Sequence, residues 1–214
     1  MTENAVEDYG WTAADAPHSC CYIAPRILVT LKGLNVKRVL DLASGNGALC
    51  GQLAAAGYQV VGVEYDKKGV DVARRSYPGI AFYNFGLQSD PTELLAHEAQ
   101  FDAVVSTEVI EHLFSPHLLP IYARSILKQD GYLIVTTPYH GYLKNLALSI
   151  LNHWDKHHTA LWHGGHIKFW SRATLTRLLS ENGFRVVRFA GVGRLPYLWK
   201  SMMLVAQTDS RRSI

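Results

Sequence analysis

Two short segments of the 214-residue chain, VLDLASGNG (Val39 to Gly47) and VVGVE (Val60 to Glu64), restrict its fold more than anything else in it. Val39 to Leu42 read as a buried strand. Gly45 and Gly47 let the bend after it come close to a ligand, and Ala48 to Ala56 read as the helix that follows. Glu64 then falls at the tip of a second strand. A carboxylate there accepts hydrogen bonds from both hydroxyls of a ribose when a glycine bend and a neighbouring strand tip share one crevice.

Two nucleoside cofactors compete for such a crevice. A dinucleotide fingerprint needs Gly or Ala three residues after the second glycine, and this chain has Cys50 there. Asp41 also stands just before the bend, where a pyrophosphate meets an unfavourable negative charge and a methionine ammonium meets a favourable one. S-adenosylmethionine therefore accounts for more of these residues than NAD.

The rest of the chain repeats the alternation. Strands are expected at 38–42, 59–64, 80–85, 101–106 and 131–136, with helices at 48–56, 67–75, 91–98 and 117–127 between them. Gly131 is expected to stop the helix of Leu118 to Leu127 at the turn Lys128 to Gly131. A helix over Arg172 to Glu181, closed by Asn182 and Gly183, precedes strands at Phe184 to Phe189 and Ser201 to Gln207. Strands separated by helical crossings predict a parallel sheet covered on both faces.

With these segments on the page, the chain resembles the class I S-adenosylmethionine-dependent methyltransferases, quinone and small-molecule O-methyltransferases in particular. The resemblance runs over residues 37 to 190 and is carried by VLDLASGNG, VVGVEYD, FDAVVSTEVIEHL, LKQDGYLIVTTP and LSENGF. It implies an α/β, Rossmann-like, seven-stranded and mostly parallel sheet with helices on both faces and an antiparallel edge made by the last two strands. Residues 37–214 would form the methyltransferase domain, and residues 1–36 a cap on the substrate side with Tyr9, Trp11 and His18 near the entrance. A loose terminus with one hydrophobic anchor is the other reading of that segment. The resemblance places Asp41 at the amino acid end of the cofactor, with Ala43, Gly45, Gly47 and Thr107 lining it. Ala43 stands where the family more often has Gly. Glu64 would hold the ribose, and Tyr65 or Leu87 would lie beside the adenine. Phe85-Gly86-Leu87 offers no aspartate for the adenine amino group, so backbone groups or Gln88 would serve.

Glu108, Glu111 and His112 follow the fourth strand, at the carboxyl edge where such sheets place ligands, and they can share one side of a first helical turn. Two carboxylates and an imidazole suit Mg²⁺ or Mn²⁺. The spacing is similar to the ExxEH element of quinone O-methyltransferases and of small-RNA terminal 2'-O-methyltransferases. That resemblance adds His166 as a fourth ligand. A metal-free reading stands beside it, in which Glu111 pairs locally and His112 packs. Sulfonium chemistry needs only an aligned nucleophile shielded from water and, for a phenol, a base. His140, just past the fifth strand, is the first candidate, then His112 and His166.

The insertion at 140–170 is long for an α/β connection. It holds a helical run from Leu143 to Trp154 and six of the ten histidines. An apolar face at Leu143, Leu146 and Ile150 needs burial, so the insertion is expected to cover the active site. A homodimer contact or peripheral membrane contact through 142–154 are the other uses of that face. Trp154, Trp162, Phe169 and Trp170 are candidates for an aromatic pocket.

Composition narrows the partners. A chain that is 48% hydrophobic at this length holds one sizeable core. Its formal charge of +3 shows no concentrated basic stripe, which argues against a dedicated nucleic-acid binder. Three cysteines, two of them adjacent, make neither a disulfide framework nor a CxxC metal pair. The acidic first residues lack a secretory apolar run, and no stretch reaches the roughly 20 apolar residues of a membrane span, so a cytoplasmic location is expected. The favoured activity is methyl transfer from S-adenosylmethionine to an oxygen of a small aromatic or quinone-like acceptor. RNA 2'-O-methylation, N-methylation of a small amine, and a scaffold that binds cofactor without turnover are the alternatives.

Overall fold

Strands filled with Val, Ile and Leu need cover on both faces, and helices between them supply it. The computed structural model describes residues 10–158, 161 and 164–209. In chain order the elements are α1 (Cys20–Leu34), β1 (Arg38–Leu42), α2 (Ala48–Ala55), β2 (Gln59–Val63), α3 (Lys67–Ser76), β3 (Ala81–Tyr83), α4 (Pro91–Leu95) and β4 (Phe101–Thr107). A 3-10 turn (Ile110–His112) follows, then α5 (Leu118–Ile126), β5 (Leu127–Pro138), α6 (Tyr142–Ile150), α7 (Trp154–His158), α8 (Arg172–Glu181), β6 (Phe184–Val192) and β7 (Ser201–Thr208). Asp66, Asp90 and Ser171 start α3, α4 and α8 by accepting backbone N–H bonds from the first turn, which satisfies donors the helix cannot.

The sheet runs β3-β2-β1-β4-β5-β7-β6. The pairs from β3 through β5 are parallel, and β7 is antiparallel to both β5 and β6. This is the expected Rossmann-like sheet with an antiparallel edge. The chain steps outward from β1 to β3, then returns to β4 on the other side of β1. The order reverses there, and a crevice opens at the carboxyl ends of β1 and β4.

Strand alternation splits the core between the two faces. Leu40, Leu42, Val104, Leu133 and Val135 pack with Leu119, Ile126, Leu175 and Leu179 on one side. Val39, Val105, Ile134 and Val205 pack with Ile23, Ile27, Leu31, Leu49 and Leu53 on the other. Each fully buried aliphatic side chain contributes about 1.5–3 kcal/mol from burial.

Two boundaries differ from expectation. The fifth helix ends at Ile126, one residue before the expected Leu127, and the strand after it starts at Leu127 and not at Gly131, because Leu127 is already extended, buried and paired with Phe101 of β4. Asp130, not Gly131, takes the left-handed conformation, with φ 59°. The run from Leu143 to Trp154 is broken in two. Asn152 adopts φ 51°, and the N–H groups of Asn152 and His153 return to the carbonyls of Ser149 and Leu148, which closes α6 as a Schellman motif.

Candidate active site

The bend after β1 is left-handed at Ala43 (φ 63°), Gly45 (φ 54°) and Gly47 (φ 78°). At Ala43 that conformation costs about 1–2 kcal/mol, which glycine would avoid. Both glycines have packing reasons beside any ligand. A Cβ on Gly47 would lie 2.9 Å from Ala73 and from Phe82, so its absence lets α2 start against α3. A Cβ on Gly45 would lie 2.7 Å from the Trp11 ring.

Glu64 braces this bend. One carboxylate oxygen accepts the Gly45 N–H and the other the Asp66 N–H, both at 2.8 Å. Each oxygen keeps a second lone pair for a hydroxyl. Burial raises the Glu64 carboxyl above its ordinary range, while the two backbone N–H bonds oppose that rise. The Trp11 indole stands against Gly45 and against Gly69, whose added Cβ would meet Trp11 at 3.0 Å and the Glu64 side chain at 3.3 Å. Asn46 fixes the segment by donating to the carbonyls of Ala13 and Asp15 at 2.9 Å each. Of the three expected entrance residues, Trp11 thus borders the bend after β1. His18 sits at the other mouth, with Nε2 3.1 Å from Lys200 Nζ, and Tyr9 lies outside the described residues.

Asp41 is buried at the end of β1. Its Oδ2 accepts the Cys50 thiol at 3.3 Å, whereas its Oδ1 is enclosed with no hydrogen-bond partner. Burial pushes its carboxyl up to about 7, and the charge of Glu64 adds to the rise. An enclosed carboxyl group with an unmet acceptor is a seat for a cationic donor. On the far side, Asn84 ties the exits of β2 and β3 by donating to the carbonyls of Glu64 and Tyr65. The exposed Tyr65 ring lies over Gly86, next to Gln88, and Leu87 packs on the core beneath them. Thr107 closes β4 opposite Thr136 of β5.

Past β4 the chain takes a left-handed residue that is not glycine, Glu108 (φ 54°). Its carboxylate accepts from the Thr136 hydroxyl at 2.9 Å and the Ser201 hydroxyl at 3.0 Å. Glu111, buried in the 3-10 turn, accepts from Thr137 at 2.9 Å and leaves Oε1 without a partner. Burial raises both carboxyl groups, Glu108 to about 7, and the negative charge of Glu108 raises Glu111 further. Ligand atoms of Glu111, His112 and His166 lie within 4.8 Å of one another. Glu108 is outside that group: the strained residue at the β4 exit turns its carboxylate to the hydroxyls of β5 and β7. The expected four-residue set is therefore brought together as three.

The histidines divide. His112 and His166 meet edge to face, with ring centroids 4.9 Å apart. His140 packs with His157, His158 and Phe169. Burial first, then the Lys144 ammonium, holds His140 and His157 down to about 4; burial and then His112 bring His166 to about 4. These imidazoles are neutral at pH 7. Of the expected aromatic pocket, Trp154 and Phe169 contact His158, while the Trp170 indole donates to the Ile110 carbonyl and packs on the core. Trp162 lies outside the described residues.

Beside Glu108, at the carboxyl ends of β4 and β5, is a cavity of about 870 Å³. Tyr22 of α1, Lys144 and Leu148 of α6, His157, His166, and Arg194 and Leu198 between β6 and β7 contribute to its wall. His140 is set back from this wall, behind His157. Sequence reasoning overlooked Lys144, His157, Arg194 and Ser201. The signal for Lys144 was present, since it is the one charged residue of the YLKNLALSI helix.

Strand order, a reversal point at β1 and β4, and acidic groups at the tips of β1 and β2 define a Rossmann-like nucleoside-binding protein of the methyltransferase type. A family model described as a methyltransferase domain matches residues 13–188, and the chain belongs to that family, as a class I S-adenosylmethionine-dependent methyltransferase. It is 28% identical over 189 residues to a ubiquinone biosynthesis O-methyltransferase of Bradyrhizobium diazoefficiens, across 84% of this chain and 70% of the relative. The same identity extends over 176 residues to the enzyme of that name from Thiobacillus denitrificans, across 81% of this chain and 75% of the relative. Among solved structures, magnesium protoporphyrin IX methyltransferase from Synechocystis PCC 6803 with bound SAH has a TM-score of 0.65 at 20% identity, covering 87% of this chain and 82% of that one. No helix among the described residues is long and apolar enough to cross a membrane.

Proposed function

We propose that this enzyme transfers the methyl group of S-adenosylmethionine to an oxygen of a small, largely apolar acceptor held in the cavity beside Glu108. The cofactor ammonium would meet Asp41 and its ribose would meet Glu64, with the adenine beside Tyr65 or Leu87 and the sulfonium directed past Thr107. The two relatives named as ubiquinone biosynthesis O-methyltransferases support oxygen as the acceptor atom.

The observation that carries this reading is the placement of Glu108. It lines the cavity, and its carboxyl lies at about 7 because burial disfavours its charge. A base whose pKa matches the working pH is the most effective proton acceptor, and a phenol must lose its proton as the methyl arrives. Imidazoles held near 4 are weaker bases, so His166 on the cavity wall is assigned to orienting the acceptor, and His140 to supporting His157. In the balanced step, the acceptor oxygen attacks the methyl carbon, the carbon–sulfur bond breaks with its electron pair going to sulfur, and the acceptor proton passes to Glu108. Glu108→Gln should lower kcat/KM for a phenolic acceptor by about 10²–10⁴-fold while leaving cofactor affinity unchanged. Steady-state kinetics on phenol, catechol and amine panels checks both points. An unchanged rate would remove Glu108 as the base, and methylation confined to amines would overturn the oxygen reading.

The trio Glu111, His112 and His166 fits a divalent ion: one buried carboxylate with an open oxygen and two neutral imidazoles favour Mn²⁺ or Zn²⁺ over Mg²⁺. When bound, such an ion would lower the negative charge on an acceptor oxygen. We read residues 140–170 as the cover of the cavity, since α6 and His157 form one side of it.

A further inference from the structure

The helix that covers the cavity is inside out. On α6, Tyr142, Leu143, Leu146 and Ile150 are exposed, whereas Lys144 is only 7% exposed and is the buried residue of the helix. Long charged side chains are almost never buried without a partner, because an unpaired ammonium loses its hydration. The ammonium of Lys144 has three N–H donors, and the structure satisfies one of them, through the Lys200 carbonyl at 3.3 Å. No carboxylate lies within salt-bridge distance of it among the described residues. Glu108 feels its charge across the cavity but is already engaged by Thr136 and Ser201.

A second positive charge, Arg194, faces the same space from the connection between β6 and β7. Its repulsion, after burial, helps hold Lys144 down to about 8, which leaves the amine mostly charged at neutral pH. Lys200, also on the wall, is already engaged, with its ammonium 4.8 Å over the Tyr22 ring and 3.1 Å from His18 Nε2. The same two segments also bring aliphatic side chains to the wall: Ala147, Leu148 and Leu151 from α6 and its end, and Leu195 and Leu198 from the β6–β7 connection. Two cations and aliphatic side chains on one wall, with the buried Lys144 ammonium holding unmet donors, match an acidic molecule with an apolar body.

From this arrangement we propose that the methyl acceptor carries an oxyanion, a carboxylate or a phosphate, which Lys144 and Arg194 bind on the wall formed by α6 and the β6–β7 connection. The proposal deepens the O-methylation reading and rests on it for the identity of the cavity. The oxyanion is a handle and not the methylated atom; the accepting oxygen sits at the other end of the molecule, against Glu108.

The test compares acceptors that differ only in the handle: 3,4-dihydroxybenzoate, its neutral amide, catechol, and the matching dihydroxyphenyl phosphate. With the intact enzyme and S-adenosylmethionine, an acidic acceptor should exceed the amide in kcat/KM by at least about tenfold, mainly through KM. The better of the carboxylate and phosphate arms identifies the oxyanion. Lys144→Met and Arg194→Gln should each bring the acid-to-amide ratio close to one. Removing a buried, poorly paired charge does not threaten folding, and Arg194 is exposed. An amide that is used as well as the acids, or a ratio that survives Lys144→Met, would overturn the proposal while leaving O-methylation intact. Should no phenol of either kind be methylated, calorimetric titration with benzoate and benzamide decides the point. Benzoate binding that disappears in Lys144→Met supports the oxyanion site although the oxygen reading has failed, and equal binding of the two ligands overturns it.

Discussion

Asp41 shows how burial tunes a single residue toward one ligand. Its carboxyl lies at about 7 because it is enclosed, and the Glu64 charge adds to the rise; the Cys50 thiol opposes it. At pH 6 the apo protein therefore holds a proton there, and a ligand ammonium requires the carboxylate form. Binding should release that proton, so affinity for S-adenosylmethionine should strengthen as pH rises from 6 to 8. Calorimetry at pH 6 in two buffers of different ionisation enthalpy reads the proton directly. Asp41→Asn should bind more weakly and release fewer protons, and an identical proton count in the variant would assign the release to another group. The same carboxyl has an opposite effect on the fold. A folded-state pKa raised above the unfolded 3.8 favours folding at low pH and loses that advantage as pH rises toward 7.

At the scale of elements, the 3-10 turn and the loop before α8 act together. Ile167 and Lys168 both donate their N–H to the Glu111 carbonyl, and the Trp170 indole donates to that of Ile110. These bonds hold His166 beside His112 and Glu111. If the trio holds the divalent ion proposed above, this pairing lowers the ordering cost of assembling its ligands. Titration with Mn²⁺ or Zn²⁺ should show one site that His166→Ala weakens by about tenfold or more, a conservative figure for loss of one ligand. No binding, or binding unaffected by His166→Ala, would leave the trio as packing. The strands and α8 were legible in the sequence because their apolar periods and the Ser171-to-Thr174 cap are local. The start of β5 at Leu127 and the break after α6 were not. Pairing of Leu127 with Phe101 is tertiary, and Asn152 is a weaker helix terminator than glycine.

Over the whole molecule, one edge of the sheet gathers the chemistry. The tips of β1 and β2 present Asp41 and Glu64, β4 delivers Glu108 and Glu111, and β5 and β7 supply the hydroxyls of Thr136, Thr137 and Ser201 that hold them. The bend after β1 and the acids at the tips of β1 and β2 were readable from VLDLASGNG and VVGVE, because glycine bends and strand-tip acids are local in sequence. The acceptor half was not, since Lys144, His157, Arg194 and Ser201 come from segments brought together only by the fold. Trp11 was named as an entrance residue, but its place against Gly45 and Gly69 follows from the Asn46 contacts, which no pattern of spacing announces.

The central claim is that S-adenosylmethionine binds where the β1 bend meets the tip of β2. Calorimetric titration of the cofactor into the wild-type protein and into Glu64→Gln tests it, with the melting temperature of each measured alongside. The exchange keeps the side chain's size but replaces one acceptor oxygen with a donor facing a backbone N–H, so some loss of stability, about 1–3 kcal/mol, is expected. The account predicts saturable one-to-one binding to the wild-type protein and an affinity lowered by about tenfold or more in the folded variant. Equal affinities for the two folded proteins, or no binding to the wild type, would contradict it.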